Sequence, residues 1–204
     1  MFKPSMAIDH RLLRRALAWV TFSVMAVYVC RPLLRSGLSP IDDHEFVRFG
    51  RTTDGLLGVF RTLFDQTEVG SWGTSTRYRP LYYFLRVLSP EVLGNQGGSR
   101  YFIRIVITIV VCLLLATLVI RMVQLVFPAY EPTFPMQVLL PLMFFSLSAW
   151  QDIVTRLGPS ELLLILGLAI TWLCTARIIG SPSPPLPKTF FLLLIGVFIA
   201  AGSK

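Results

Sequence analysis

The feature that most constrains this chain is a run of sixteen uncharged residues from Ile105 to Ile120. A helix of about 20 predominantly apolar residues is long enough to cross a bilayer. Hydrophobic residues make up 54% of the chain and charged residues 15%, whereas soluble domains have roughly 25% charged residues. This composition excludes a disordered chain, a small disulfide-framed secreted domain and an ordinary water-soluble enzyme. It predicts an integral membrane protein.

We expect an all-α polytopic membrane protein with about four to five transmembrane helices. The expected segments are a basic amino terminus at 1–15, transmembrane spans at 16–34, 102–127, 134–150 and 160–179, a long loop at 35–101, and the start of a fifth span at 189–204. Pro141 predicts a kink in the third span. The fifth block has only fourteen uncharged residues, Thr189–Gly202. Because a helix rises about 1.5 Å per residue, we expect the chain to end inside its fifth span.

The basic residues before the first span predict its orientation. They are Lys3, Arg11, Arg14 and Arg15. A cleaved signal peptide is the alternative to a permanent span. However, the segment 27–32 around Cys30 has neither an A-x-A site nor the small residue that a lipobox needs. We therefore predict a signal anchor with a cytoplasmic amino terminus, in a multi-pass protein of the bacterial inner membrane or the ER membrane. The loops at 36–101 and 151–159 then lie outside the cytoplasm.

The formal charge of +8 does not form the continuous basic stripe typical of nucleic-acid-binding proteins. Loop 36–101 has seven Arg and seven acidic residues, so the positive excess lies at the amino terminus and at span ends. We therefore predict no nucleic-acid partner. The three cysteines, Cys30, Cys112 and Cys174, all lie within apolar blocks. We interpret them as reduced core residues.

The long loop has two segments typical of helices that lie in the membrane interface. The first runs from Asp54 to Asp65, and the second begins at Pro80. Their apolar faces consist of Leu56, Leu57, Phe60, Leu63 and Phe64 in the first, and Leu81, Phe84, Leu85 and Leu88 in the second. This arrangement would hold polar chemistry at the membrane surface.

Several short motifs give the chain a resemblance to a known family. An acidic pair, Asp42-Asp43, opens the outer loop, Arg-Tyr-Arg-Pro-Leu stands at 77–81, and Arg-Leu-Gly-Pro-Ser-Glu stands at 156–161. With the first span and its basic amino terminus, these motifs resemble the amino-terminal part of GT-C glycosyltransferases. Protein O-mannosyltransferases and aminoarabinose lipid A transferases belong to that group. Members have roughly eight or more spans and a further outer domain, so the resemblance implies a truncated GT-C module that is inactive alone.

The resemblance implies inverting transfer of a sugar from a polyprenyl- or dolichyl-phosphate donor to an acceptor hydroxyl of a protein, lipid or glycan. It assigns Asp42 as the base that deprotonates the acceptor, and Asp43 as its neighbour. The alternative is a helix-capping role in the sequence Asp42-x-x-Glu45. Arg77 and Arg79 are candidates to bind the donor phosphate, or ordinary lipid headgroups.

Three further residues are candidates for substrate binding by the same resemblance. Asp152 and Glu161 flank the second outer loop, where the family has a supporting acid for acceptor or metal. Solvent exposure of Asp152 and helix capping by Glu161 are the alternatives. Lys204 would be a second phosphate partner if further spans fold around it. No metal-ligand spacing is present, so a divalent cation held by carboxylates is left open.

A non-enzymatic membrane protein, either half of a transporter or a scaffold subunit, is the competing functional class. A transporter predicts ionisable residues near the middle of its spans. The charged residues of these spans lie near the ends. A scaffold does not require an acidic cluster at the membrane surface.

Overall fold

A computed structural model gives the structure of the chain over 10–35, 97–148, 160–181 and 186–203. It also describes single positions at 55, 57, 58, 81, 84, 85, 88, 92 and 153. The five elements in the four continuous ranges are all helices, and these ranges contain no strand. They are α1 (His10–Leu34), α2 (Gly97–Val126), α3 (Phe134–Phe145), α4 (Glu161–Ile179) and α5 (Pro187–Gly202).

Three of these helices, α1, α2 and α4, are long and apolar enough to cross a membrane. The other two are shorter, with 12 residues in α3 and 16 in α5, and these correspond to about 18 and 24 Å of helix. Many large apolar side chains remain exposed on the bundle, including Val20, Tyr28, Trp172 and Phe198. Lipid rather than water is the solvent that suits such a surface. The fold is that of a helical integral membrane protein.

The helices differ in length from the expected spans. Helix α1 begins at His10 rather than at 16, and its exposed first turn lies beside the α2–α3 connection. There a guanidinium nitrogen of Arg11 lies 2.5 Å from a carboxylate oxygen of Glu131. Helix α3 ends at Phe145 rather than at 150. The Ser146 hydroxyl donates to the carbonyl oxygen of Met143, at 2.9 Å, a local bond that competes with continuation of the helix.

The core lies between α1, α2, α3 and α4. Helix α1 packs against α2 and α3, α2 also packs against α3 and α4, and α4 packs against α5. Phe22 is fully buried and meets Phe145 edge to face, with ring centroids 6.1 Å apart. Cys30, Cys112 and Cys174 are buried and free. The prediction of reduced core cysteines is therefore confirmed.

Helices α4 and α5 approach each other through small residues. A methyl group added at Gly167 would meet the backbone of Gly196 and Ala200, and one added at Gly196 would lie 2.9 Å from the backbone nitrogen of Thr171. Small residues four positions apart on each helix therefore let two antiparallel backbones come into direct contact. This is the packing that membrane helices favour, since apolar side chains gain little by leaving lipid.

Candidate functional site at the loop end of the bundle

One predicted site residue, Glu161, lies in the part of the chain that the structure describes. The other six lie outside the described residues: Asp42, Asp43, Arg77, Arg79, Asp152 and Lys204. Glu161 is the first residue of α4 and is exposed. An acid in the first turn interacts favourably with the helix dipole. Its role in substrate binding stays a prediction.

Several helix ends meet at one end of the bundle. Leu34 ends α1 and lies beside the start of α2, where a methyl group added at Gly98 would come within 2.6 Å of the Leu34 carbonyl oxygen. The start of α4 joins them, because Leu162 packs in the same core cluster as Ile105. We call this the loop end, since the segment between α1 and α2 leaves and re-enters the bundle here.

The last turn of α5 also belongs to the loop end, because α5 runs antiparallel to α4. A methyl group added at Gly202 would lie 2.9 Å from the Cβ atom of Leu81. Leu81 belongs to the segment for which the sequence predicts the second interfacial helix. At least one position of that segment therefore packs on the bundle. Ser203, the next residue after α5, is fully buried at this end.

Two arginines are buried at the loop end, on one face of the first turns of α2. Arg100 is 3% exposed and Arg104 is 9% exposed. Residues four positions apart lie one above the other on a helix, and the Thr108 hydroxyl continues this face by donating to the Arg104 carbonyl oxygen at 2.9 Å. A guanidinium stays charged in proteins, and burying it costs several kcal/mol before its partners compensate. Both arginines have interactions within the protein that offset part of this cost.

Arg104 also connects α2 to the segment between α3 and α4, because its Nε donates to the backbone carbonyl of Ile153. The side chain of Arg104 is therefore buried and bound to backbone within the protein, whereas Arg121, at the other end of the same apolar run, is exposed.

The sequence does not single out Arg100 and Arg104 as two cations on one helix face. Their four-residue spacing could have indicated it. However, the predicted span begins at 102, which places Arg100 in the loop and Arg104 in the span. The structure makes them one face, since α2 begins at Gly97 rather than at 102.

This face can bind an anion. Two guanidinium groups present planar sets of N–H donors whose geometry matches phosphate or carboxylate oxygens. Burial lowers the effective dielectric around them and strengthens their attraction for a negative group.

Within the described ranges, no three His, Cys, Asp or Glu side chains come together as a metal site.

Comparison with known proteins gives no relative. No family model, no curated protein and no solved structure matches the chain.

Proposed function

We propose that the chain is part of an integral-membrane glycosyltransferase. The enzyme would move a sugar from a polyprenyl-phosphate-type lipid donor to an acceptor hydroxyl on the extracytoplasmic face. The observation that carries this proposal is the buried Arg100–Arg104 pair at the loop end. A lipid-linked donor brings a phosphate to the membrane surface, and buried guanidinium groups suit that charge. The sequence motifs that resemble GT-C enzymes belong to the chain segments that connect helices at this end.

The chemistry would be a single inverting displacement. The acceptor oxygen attacks the anomeric carbon on the face opposite the lipid phosphate. The carbon–oxygen bond to phosphate breaks, its electron pair stays on the phosphate, and Asp42 takes the proton of the acceptor. The Arg100 and Arg104 charges would stabilise the negative charge that develops on the departing phosphate. Asp43 would orient or tune the base.

Replacement of Arg100 tests the phosphate-binding part of this proposal. Arg100→Gln should weaken binding of a radiolabelled polyprenyl-phosphate sugar to the chain in nanodiscs by at least about tenfold. This is the effect of losing one hydrogen bond to a charged group, about 1.5–3 kcal/mol. Arg35→Gln is the matched control, because it removes the same charge from an exposed residue just after α1. Equal affinities for Arg100→Gln and the unaltered chain, with both proteins folded, would contradict this assignment.

Replacement of Asp42 tests the catalytic part. In an active enzyme that contains this chain together with the further spans that the resemblance implies, Asp42→Asn should lower the rate of sugar transfer by about 10²–10⁴-fold, the usual contribution of positioned proton transfer, with little change in membrane insertion. Asn caps helices as well as Asp does, so an Asp42 that only caps a helix would tolerate the change.

Asp43→Asn should cost less than Asp42→Asn, because a neighbouring carboxylate only positions or tunes the base. Near-normal transfer by Asp42→Asn would disprove the role of Asp42 as base. A loss confined to Asp43→Asn would move that role to Asp43.

A further inference from the structure

A cavity of about 110 Å³ opens at the other end of the bundle, between α1, α2 and the start of α3. Its wall includes Arg15 and Trp19 of α1, Thr117 and Arg121 of α2, and Gln137 of α3. We call this the basic end. The cavity has room for a group several times larger than one water molecule, whose share of liquid volume is about 30 Å³.

The basic end concentrates positive charge around the cavity. Arg15 reaches across to α2, where its guanidinium donates to the Thr117 hydroxyl at 3.3 Å, and it also lies 4.6 Å from the ring centroid of Trp19. Arg121 and Arg177 both act on Arg15 by charge repulsion. Arg15 and Arg121 both line the cavity, and two like charges there favour an anion that binds between them.

Within the described ranges, no acid neutralises these three arginines. Among the described acids, Glu131 lies at this end, 2.5 Å from Arg11 and 4.0 Å from Arg14. Arg15, Arg121 and Arg177 have no ion pair with a described acid. The positive charge at the cavity is therefore uncompensated by this part of the protein.

Gln137 lines the cavity and has a buried amide oxygen that a rotation of the side chain would turn toward a ligand. Its side chain is 6% exposed, and its Nε2 donates to the carbonyl oxygen of Pro132 at 2.9 Å. The other half of the amide, Oε1, is buried without a hydrogen-bond partner. A buried acceptor without a donor costs about 1–3 kcal/mol. A ligand that supplies a hydroxyl donor would remove that cost.

We propose that this cavity binds the headgroup of an anionic phospholipid that carries a hydroxyl group beside its phosphate. The phosphate lies between Arg15 and Arg121, and the hydroxyl donates to Gln137 Oε1. The cavity lies at the ends of membrane-crossing helices, where headgroups are available, and basic pockets between such helices are known sites for anionic lipids. The site is separate from the proposed sugar-transfer site, which lies at the opposite end.

Lipid binding to the whole chain in detergent micelles tests the proposal. Native mass spectrometry should show phosphatidylglycerol retained in preference to phosphatidylcholine, which has no net negative charge. Arg15→Gln and Arg121→Gln should each weaken the retained binding by about tenfold or more, which corresponds to one charge-assisted hydrogen bond. Arg35→Gln, with the same loss of charge at the loop end, should bind as the unaltered chain does.

The hydroxyl contact has its own test. The unaltered chain should prefer phosphatidylglycerol to phosphatidylmethanol, a phosphodiester of the same charge whose headgroup has no hydroxyl. Gln137→Met keeps a side chain of similar length but removes the acceptor, so this preference should disappear. Circular dichroism and thermal unfolding would establish that the variant remains folded. An unchanged preference in folded Gln137→Met would overturn the assignment of Gln137.

Two further outcomes would overturn the proposal as a whole. Equal losses of lipid binding in Arg15→Gln and Arg35→Gln would mean that the net charge of the chain, rather than this cavity, holds the lipid. Displacement of phosphatidylglycerol by inorganic phosphate at about 10 mM, a concentration above a weak millimolar dissociation constant, would assign the cavity to a soluble anion. Neither outcome would test the loop end, so the proposed sugar transfer is tested independently.

Discussion

The sequence predicts the burial of a residue well where its sequence neighbours are apolar. It predicts burial poorly where a hydrogen-bond partner from another segment is needed. The three cysteines lie in apolar blocks and are buried as expected. Arg104 lies beside an apolar block too, but a backbone carbonyl from another segment accepts its hydrogen bond. That partner is distant in sequence, so no local pattern could indicate it.

The buried thiols give a prediction at this scale. In the folded chain, a membrane-impermeant maleimide should label Cys112 and Cys174 by less than about a tenth of the extent reached after denaturation in SDS, because buried thiols are inert. Mass spectrometry of labelled peptides measures this ratio. A cysteine introduced at the exposed position of Arg35 is the accessible control. Rapid labelling of Cys112 before unfolding would contradict the packing of α2.

Helical elements were predicted better than their ends. Helix α4 runs from Glu161 to Ile179, close to the expected span at 160–179. Helices α1 and α2 extend beyond their spans because polar first turns are held by tertiary contacts, which hydropathy does not detect. The close approach of α4 and α5 could not be predicted either, since small residues indicate that a helix can pack closely but not which helix it meets.

The contact between α4 and α5 gives a prediction at the scale of elements. Gly167→Ala places a methyl group against the backbone of Ala200, which cannot move aside, and should lower the stability by about 1–3 kcal/mol. Gly180→Ala is the matched control. Its methyl group would meet Cδ2 of Leu125 at 2.8 Å, the end of a flexible side chain. SDS titration of the purified chain measures the unfolding free energy of both variants. An equal loss of stability in Gly167→Ala and Gly180→Ala would contradict this account of the α4–α5 contact.

The described helices have a basic end and a loop end, and charge predicts how they are oriented in the membrane. Basic residues near span ends favour the cytoplasmic side. We therefore predict that the basic end, with Arg15, Arg121 and Arg177, faces the cytoplasm. A reporter that is active only outside the cytoplasm should work when inserted at Gly94 and should fail at Pro185. The reverse pattern would place Asp42 in the cytoplasm and contradict the proposed extracytoplasmic reaction.

The contact between Leu34 and Gly98 has a consequence for how such a chain can change over evolution. Leu34 and Gly98, between which the long segment runs, are in contact with each other. The segment therefore does not determine the distance between α1 and α2. Closing a flexible ring of twice the length costs only about 0.6 kcal/mol more. A longer segment between these two points would therefore add little closure cost to the helices as long as the position of Leu81, which packs against the end of α5, is kept, and new surface chemistry can be tried there on an unchanged frame.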